Sequence, residues 1–158
     1  MAIGLLAHKY DMPGYTLRLA SWQEDSRALK LVREAVFIYE QGISVELEWD
    51  GLDADSIHVL ALDAMLHPIG TARLRTDGTI GRMAVLKEWR RSGVGSALLE
   101  RLLREARDRQ IPLVTLNAQA YVADFYRKFG FEATGEEFID AGIPHVKMVV
   151  RLDGTRQN

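Results

Sequence analysis

Residues 90 to 96 place Arg90, Arg91, Ser92, Gly93, Val94, Gly95 and Ser96 directly ahead of an apolar, helix-like run. The start of a helix presents unpaired N–H groups and about half a positive charge. Glycine at 93 and 95 lets a ligand approach the backbone with no Cβ in the way, and the two arginines add charge. The chemistry that suits such a stretch is the binding of a phosphate or diphosphate. The alternative is a tight strand-to-helix turn with exposed arginines. Two familiar phosphate motifs do not fit. A P-loop needs Gly-Lys-Ser/Thr, whereas Gly95 is followed by Ser96 and Ala97. A dinucleotide fold needs GxGxxG inside a βαβ repeat, with an acid on the next strand.

The totals limit what else the chain can do. Its 158 residues, 47% hydrophobic and 27% charged, suit one ordinary globular domain spanning 1–158, with a core at about 16–152. A chain of that length buries roughly 70% of its unfolded surface. A net charge of −2 gives no bulk attraction to nucleic acid, so any anion site must be local. With no cysteine there is no disulfide, cysteine zinc site or thiol nucleophile. His8, His58, His67 and His145 are far apart and make no metal-ligand spacing, so no metal is expected. The N-terminal stretch "MAIGLLAHKYDMPG" has a short apolar run and no basic leader, and reads as neither signal peptide nor anchor. No segment reaches the roughly 18 apolar residues of a membrane span. The expected location is cytoplasmic.

The elements that must position the loop follow from periodicity. Residues 16–21 alternate as a strand, and Leu29, Val32, Val36 and Phe37 mark a helix ending near Gln41. Residues 43–56 read as an acidic loop with Glu46, Glu48, Asp50, Asp53 and Asp55. Strands are predicted at 57–62, 69–75 and 79–86, then a long helix whose stripe is Val94, Ala97, Leu98, Leu102 and Ala106. Residues 113–117 read as a strand buried on both faces and parallel to its predecessor. Val122, Phe125, Tyr126 and Phe129 give a short helix, and two strands near 131–138 and 145–152 flank the turn "DAGIP". The order β-α-β-β-β-α-β-α-β-β is a mixed α+β fold.

The pattern Arg-x-x-Gly-x-Gly at 90–95, then "LNA" at 116–118 and "FYRKFGF" at 125–131, resembles the GNAT superfamily of N-acetyltransferases from about Leu17 to Leu152. More narrowly, "VFIYEQG", "GTARL", "IGRMAV", "LNAQA" and "GIPHVKM" are similar to the ElaA/YjcF branch. The resemblance implies a GNAT-type fold, with a mostly antiparallel sheet flanked by helices. It also implies acetyl-CoA as co-substrate, its diphosphate on the amides of residues 90–96. Pantetheine would run like an extra strand beside Met83, Ala84 and Val85, where the 79–86 and 113–117 strands splay apart.

By the same resemblance, Tyr126 protonates the departing thiolate; the alternative is a core aromatic beside Phe125 and Phe129. Asn117 either hydrogen-bonds pantetheine or caps a strand end. The oxyanion falls to a backbone N–H near Val85. Many members carry a glutamate on the strand before the glycine loop, and here "GRMAVL" has none. Glu40, Asp50, Asp53, His58 and His145 are the substitutes for a base, directly or through water. His145 can take a proton from an ammonium; a structural place at a strand edge is its alternative. Glu40 and Gln41 end the first helix, as substrate-side or merely solvated groups. Arg73 and Arg82 flank an acceptor pocket or pair with the acids of 46–55. The expected acceptor is a primary amine of a small molecule or peptide. A non-catalytic acyl-CoA sensing module is the main alternative, and an enzyme like the acyl-homoserine-lactone synthases a lesser one. No nucleic-acid or membrane partner is expected, and the "HVKMVV" strand offers an edge for a homodimer.

Overall fold

The computed structural model describes residues 14–153, so the N-terminal reading and His8 lie outside the described residues. Seven strands form one sheet in the order β1-β2-β3-β4-β5-β7-β6. They are β1 (Tyr15–Ala20), β2 (Ile57–Asp63), β3 (Pro68–Leu74), β4 (Thr79–Val85), β5 (Leu113–Gln119), β6 (Glu132–Asp140) and β7 (Ile143–Arg151). Every neighbouring pair is antiparallel except β4 and β5, which run parallel. The α+β architecture with a single parallel pair is the one expected. Among the described residues no helix is long and apolar enough to cross a membrane.

Two helical layers cover the sheet. On one face lies α1 (Trp22–Arg33), which Ser21 caps by accepting from the Glu24 amide. Its Leu29 packs on Leu60 and Leu62, and Val32 packs on Ala84. On the other face lies α3 (Val94–Asp108), whose Val94, Leu98, Leu99, Leu102 and Ala106 seat in the main core with Val59, Ala72, Leu116 and Met148. The same core takes in Phe131 and Ala123, which starts the short helix α4 (Ala123–Arg127).

Four expectations need correction. The first helix does not stay α-helical to Gln41: residues Glu34–Glu40 form a π segment, with the Gln41 N–H bonded to the Val36 carbonyl. The acidic stretch carries its own turn of helix, α2 (Val45–Glu48). β5 is buried on one face only, with Val114, Leu116 and Ala118 inward and Leu113 and Asn117 exposed. The reason is that α1 packs chiefly on β3 and β4. Finally, β6 and β7 join through a tighter turn than "DAGIP". Ala141 and Gly142 both have positive φ, the signature of a two-residue hairpin turn. β7 therefore lies between β5 and β6, and the "HVKMVV" segment is an interior strand with no free edge for a partner; the edge is β6.

Candidate active site

β4 and β5 pair at only two positions, Thr79 with Thr115 and Ile80 with Leu116. Beyond them β4 bulges. Thr71 of β3 faces Ala84 while Arg73 faces Gly81, so β4 carries an extra residue, and Arg82 takes a φ of 49°. The bulge turns β4 away from β5 and opens a gap at their C-terminal ends. Gly70 and Val85 oppose each other, and the Leu86 N–H donates to the Ile69 carbonyl. Val85 is thus at a non-hydrogen-bonded position, and its own N–H and C=O point away from β3 towards the gap.

The glycine loop sits at the mouth of this gap. Gly93 is the N-cap of α3 in the left-handed conformation (φ 91°), and among the described residues no side chain caps the helix. The first free amides of α3, those of Val94, Gly95 and Ser96, are therefore left for an outside acceptor. The left-handed φ of Gly93 accounts for that glycine by itself. Gly95 is different. A Cβ there would meet only Phe125 at 3.7 Å and Val85 at 3.9 Å, ordinary contacts. Glycine is a poorer helix former than alanine, and among the described residues no contact requires it here. Arg91 is exposed in a left-handed turn, and the Ser92 hydroxyl donates to the Trp89 carbonyl.

Arg90 does not point freely at this mouth. Its Nη1 and Nη2 donate to the two carboxylate oxygens of Glu40, each at 2.6 Å, and its Nε donates to the Val85 carbonyl at 3.0 Å. The guanidinium holds the Glu40 carboxyl below the usual carboxylate range.

Tyr126 and His145 stand on opposite faces of the sheet. Tyr126 packs on Phe125 and Phe131 in the layer of α3 and α4, and its Oη donates to Met83 Sδ at 3.9 Å. Burial pushes this phenol up to about 12. His145 pairs in register with Gln119, while its neighbour Val146 belongs to the α3-side core. Alternation puts His145 and Gln119 on the other face. The buried imidazole approaches the Ile143 carbonyl with Nδ1 at 2.7 Å and stacks on Phe138 at 5.9 Å. A carbonyl can only accept, so in the neutral ring Nδ1 carries the proton and Nε2 has the lone pair.

Gln41 exchanges two hydrogen bonds with Gln119, at 3.0 and 3.3 Å. The end of the π segment is thereby tied to β5 beside His145. Gln119 was not singled out in the sequence; its place two residues beyond Asn117, on the same face of one strand, was the available signal. Asn117 is exposed and opposes Lys147 on that face.

The remaining candidates are gathered elsewhere. Arg73 is bound to Asp50 at 2.8 Å and Asp53 at 3.0 Å, and Arg82 to Glu48 at 3.3 Å and Asp50 at 3.2 Å. Arg33, 1% exposed, bridges Glu48 and Asp53, each at 2.7 Å, between the rings of Trp22 and Trp49. Three arginines thus neutralise three acids, and the wall at 46–55 presents neither a free anionic cluster nor two free arginines. His58, buried against Trp22, meets the Asp53 carbonyl with Nε2 at 2.9 Å, and burial lowers its pKa. Its place is structural. Among the described residues no three His, Cys, Asp or Glu side chains group as a metal site.

Comparison with known proteins bears on the family and the fold. Residues 30–152 match the family model of the acetyltransferase (GNAT) domain. The chain is 37% identical over 135 residues to the uncharacterized N-acetyltransferase YjcF of Bacillus subtilis, covering 83% of this chain and 96% of that protein. It is 33% identical over 131 residues to protein ElaA of Escherichia coli, covering 77% and 84%. The crystal structure of Escherichia coli ElaA superposes with a TM-score of 0.77 at 28% identity, over 85% of this chain and 98% of that one. That of an acyl-CoA N-acyltransferase from Pseudomonas aeruginosa gives 0.75 at 30% identity, again over 85% and 98%. With the family model matched over most of its length and relatives above 30% identity covering more than two thirds of it, this chain belongs to the GNAT acetyltransferase family.

Proposed function

We propose that the chain transfers an acetyl group from acetyl-CoA directly to the primary amine of a small molecule or peptide. Acetyl-CoA supplies an activated acyl carbon and a thiolate leaving group. The amides of Val94, Gly95 and Ser96 hold its diphosphate, with Arg91 adding charge, and the gap-facing edge of Met83, Ala84 and Val85 receives the pantetheine arm. The Val85 N–H points where negative charge develops on the acyl oxygen.

The observation that carries this reading is that Tyr126, against Met83 of β4, and His145, opposite Gln119 of β5, stand on opposite faces of the sheet on either side of the gap's end. An acyl group held between them has its leaving sulfur on the Tyr126 side and its incoming amine on the His145 side. Nε2 of His145 accepts the amine's proton, and the Tyr126 hydroxyl gives its proton to the thiolate as the C–S bond breaks and the C–N bond forms. The phenol is a weak acid for this task, and the work is done by its position beside the gap. Gln41 and Gln119 line the amine's approach, with Asn117 at the exposed end of the same face.

The test is thiol release from acetyl-CoA against a panel of amines, peptides and polyamines, with acetyl-CoA binding measured in parallel. Turnover on one acceptor class supports the reading. Binding with no turnover on any acceptor favours the sensing module, which the lack of a carboxylate on β4 motivates.

A further inference from the structure

The Arg-x-x-Gly-x-Gly loop begins with an arginine that has already spent its fork. Two parallel bonds of 2.6 Å to Glu40, plus the Nε bond to the Val85 carbonyl, occupy three of the five N–H groups of Arg90. The carboxylate belongs to the last residue of the π segment, and the carbonyl to the last residue of β4. The next residue after Glu40 is Gln41, bonded both ways to Gln119 of β5. One turn of chain therefore fastens β4 on one side of the gap and β5 on the other. π segments inside helices concentrate at functional sites, and this one places two successive side chains on the two sides of the gap.

Resting on the reading that the chain binds acetyl-CoA, we propose that Arg90 and Glu40 are a positioning clamp for the pantetheine-receiving end of β4, and that Arg90 is not a ligand of the diphosphate. The clamp holds the Val85 carbonyl, and with it the peptide that ends the free edge, at the spacing the pantetheine arm needs. The diphosphate is left to the uncapped amides of α3 and to Arg91. A guanidinium aimed at a diphosphate and held back by a carboxylate would behave in the opposite way: there Glu40 would compete with the ligand, and its removal would strengthen binding.

The experiment compares wild type with Glu40→Leu and Arg90→Lys, measuring affinity for acetyl-CoA and for S-acetylpantetheine, which has no nucleotide diphosphate. Thermal melting of each variant shows that it is folded; both positions are more than a third exposed, at 38% and 39% for the two side chains. The clamp requires Glu40→Leu to weaken both donors by the same factor, on the order of tenfold for the loss of a charge-assisted pair. It requires Arg90→Lys, which keeps the charge and loses the fork, to do the same. Tighter acetyl-CoA binding by Glu40→Leu, or an Arg90→Lys loss confined to acetyl-CoA, overturns the clamp and restores Arg90 to the diphosphate. A wild-type protein that binds neither donor overturns the acetyl-CoA reading itself, and the clamp with it.

Discussion

The Oη of Tyr126 lies 3.9 Å from the Sδ of Met83, so a side chain rooted in α4 reaches β4 at the place where the sheet has opened. The thioether is a weak acceptor, and a better one arriving in the gap would take the proton's attention. Tyr126→Phe keeps the ring contacts with Phe125 and Phe131 and removes only the hydroxyl. Its kcat is expected to fall by about 10²- to 10⁴-fold, the usual range for a general acid, with acetyl-CoA affinity nearly unchanged. Because burial pushes the phenol up to about 12, the acid stays protonated throughout the neutral and mildly alkaline range. The wild-type pH–rate profile should show no falling limb from this group below roughly pH 11. Equal loss of kcat and of donor binding would make Tyr126 a packing residue instead.

His145→Gln tests the other face. The Nδ1 contact with the Ile143 carbonyl at 2.7 Å fixes which nitrogen bears the proton, and the stacking on Phe138 fixes the ring plane. Glutamine fills a similar volume and cannot accept a proton at neutral pH. We expect kcat to drop by about 10²-fold or more, with the affinity for acetyl-CoA held. Steady-state thiol release at saturating donor checks this, and unchanged kcat would move the base to water or to another group.

Much of this arrangement was legible in the sequence, and the reasons differ by element. The strand and helix order came from alternation and three-four spacing, which the sheet and α3 obey. The glycine loop was legible because Gly93 and Gly95 interrupt an otherwise apolar, helix-forming run. The π segment was not, since Val36 and Phe37 sit on the same face in α and π geometry and only the hydrogen-bond partner of Gln41 tells them apart. The fate of Arg73 and Arg82 was legible only as one of two alternatives, and the structure takes the pairing with the acids of 46–55. Which acid each takes was not legible, because Glu48, Asp50 and Asp53 lie 20 to 34 residues away, at a separation that carries no periodic signal. The one-sided burial of β5 depends on where α1 packs on the sheet, a tertiary fact that overrode an apolar run. The Arg90–Glu40 pair spans 50 residues and was hidden for the same reason.

The two loop glycines should behave differently on substitution. At Gly93 an alanine would have to adopt φ near 91°, which costs roughly 1–2 kcal/mol for an L residue. Gly93→Ala should therefore lower stability by about that amount, measured by urea denaturation. At Gly95 an alanine meets no closer atom than Phe125 at 3.7 Å and gains part of the helix propensity that alanine holds over glycine, the position being in the first turn. Gly95→Ala should leave the protein as stable or slightly more so, while weakening acetyl-CoA binding about tenfold or more through the lost close approach. A Gly95→Ala protein with wild-type affinity would remove the diphosphate from this turn.

The buried ion network sets the acid limit of stability. Arg33 and Arg73 hold Asp53 below the ordinary carboxylate range despite its burial, and Arg73 and Arg82 hold Asp50 lower still. A carboxyl with a depressed folded pKa adds stability above its unfolded value of about 3.9, and loses it as the pH falls through the folded one. Glu48 has the opposite sign, because burial there outweighs the arginines and keeps the carboxyl up. His58, lowered by burial, acts earlier. The unfolded chain takes up its proton below about pH 6.5 and the folded chain resists, so stability begins to fall there. The wild-type protein should lose stability in two stages, one starting below about pH 6.5 and a steeper one below about pH 4. His58→Gln should remove the first and leave the second. Asp53→Asn should flatten the second and, by leaving Arg33 and Arg73 short of a buried counter-charge, lower stability at pH 7 by about 3–5 kcal/mol. Urea denaturation of the three proteins between pH 3 and pH 8 separates these effects, and a wild-type curve flat from pH 8 to pH 4 would show that His58 is not the neutral buried imidazole described here.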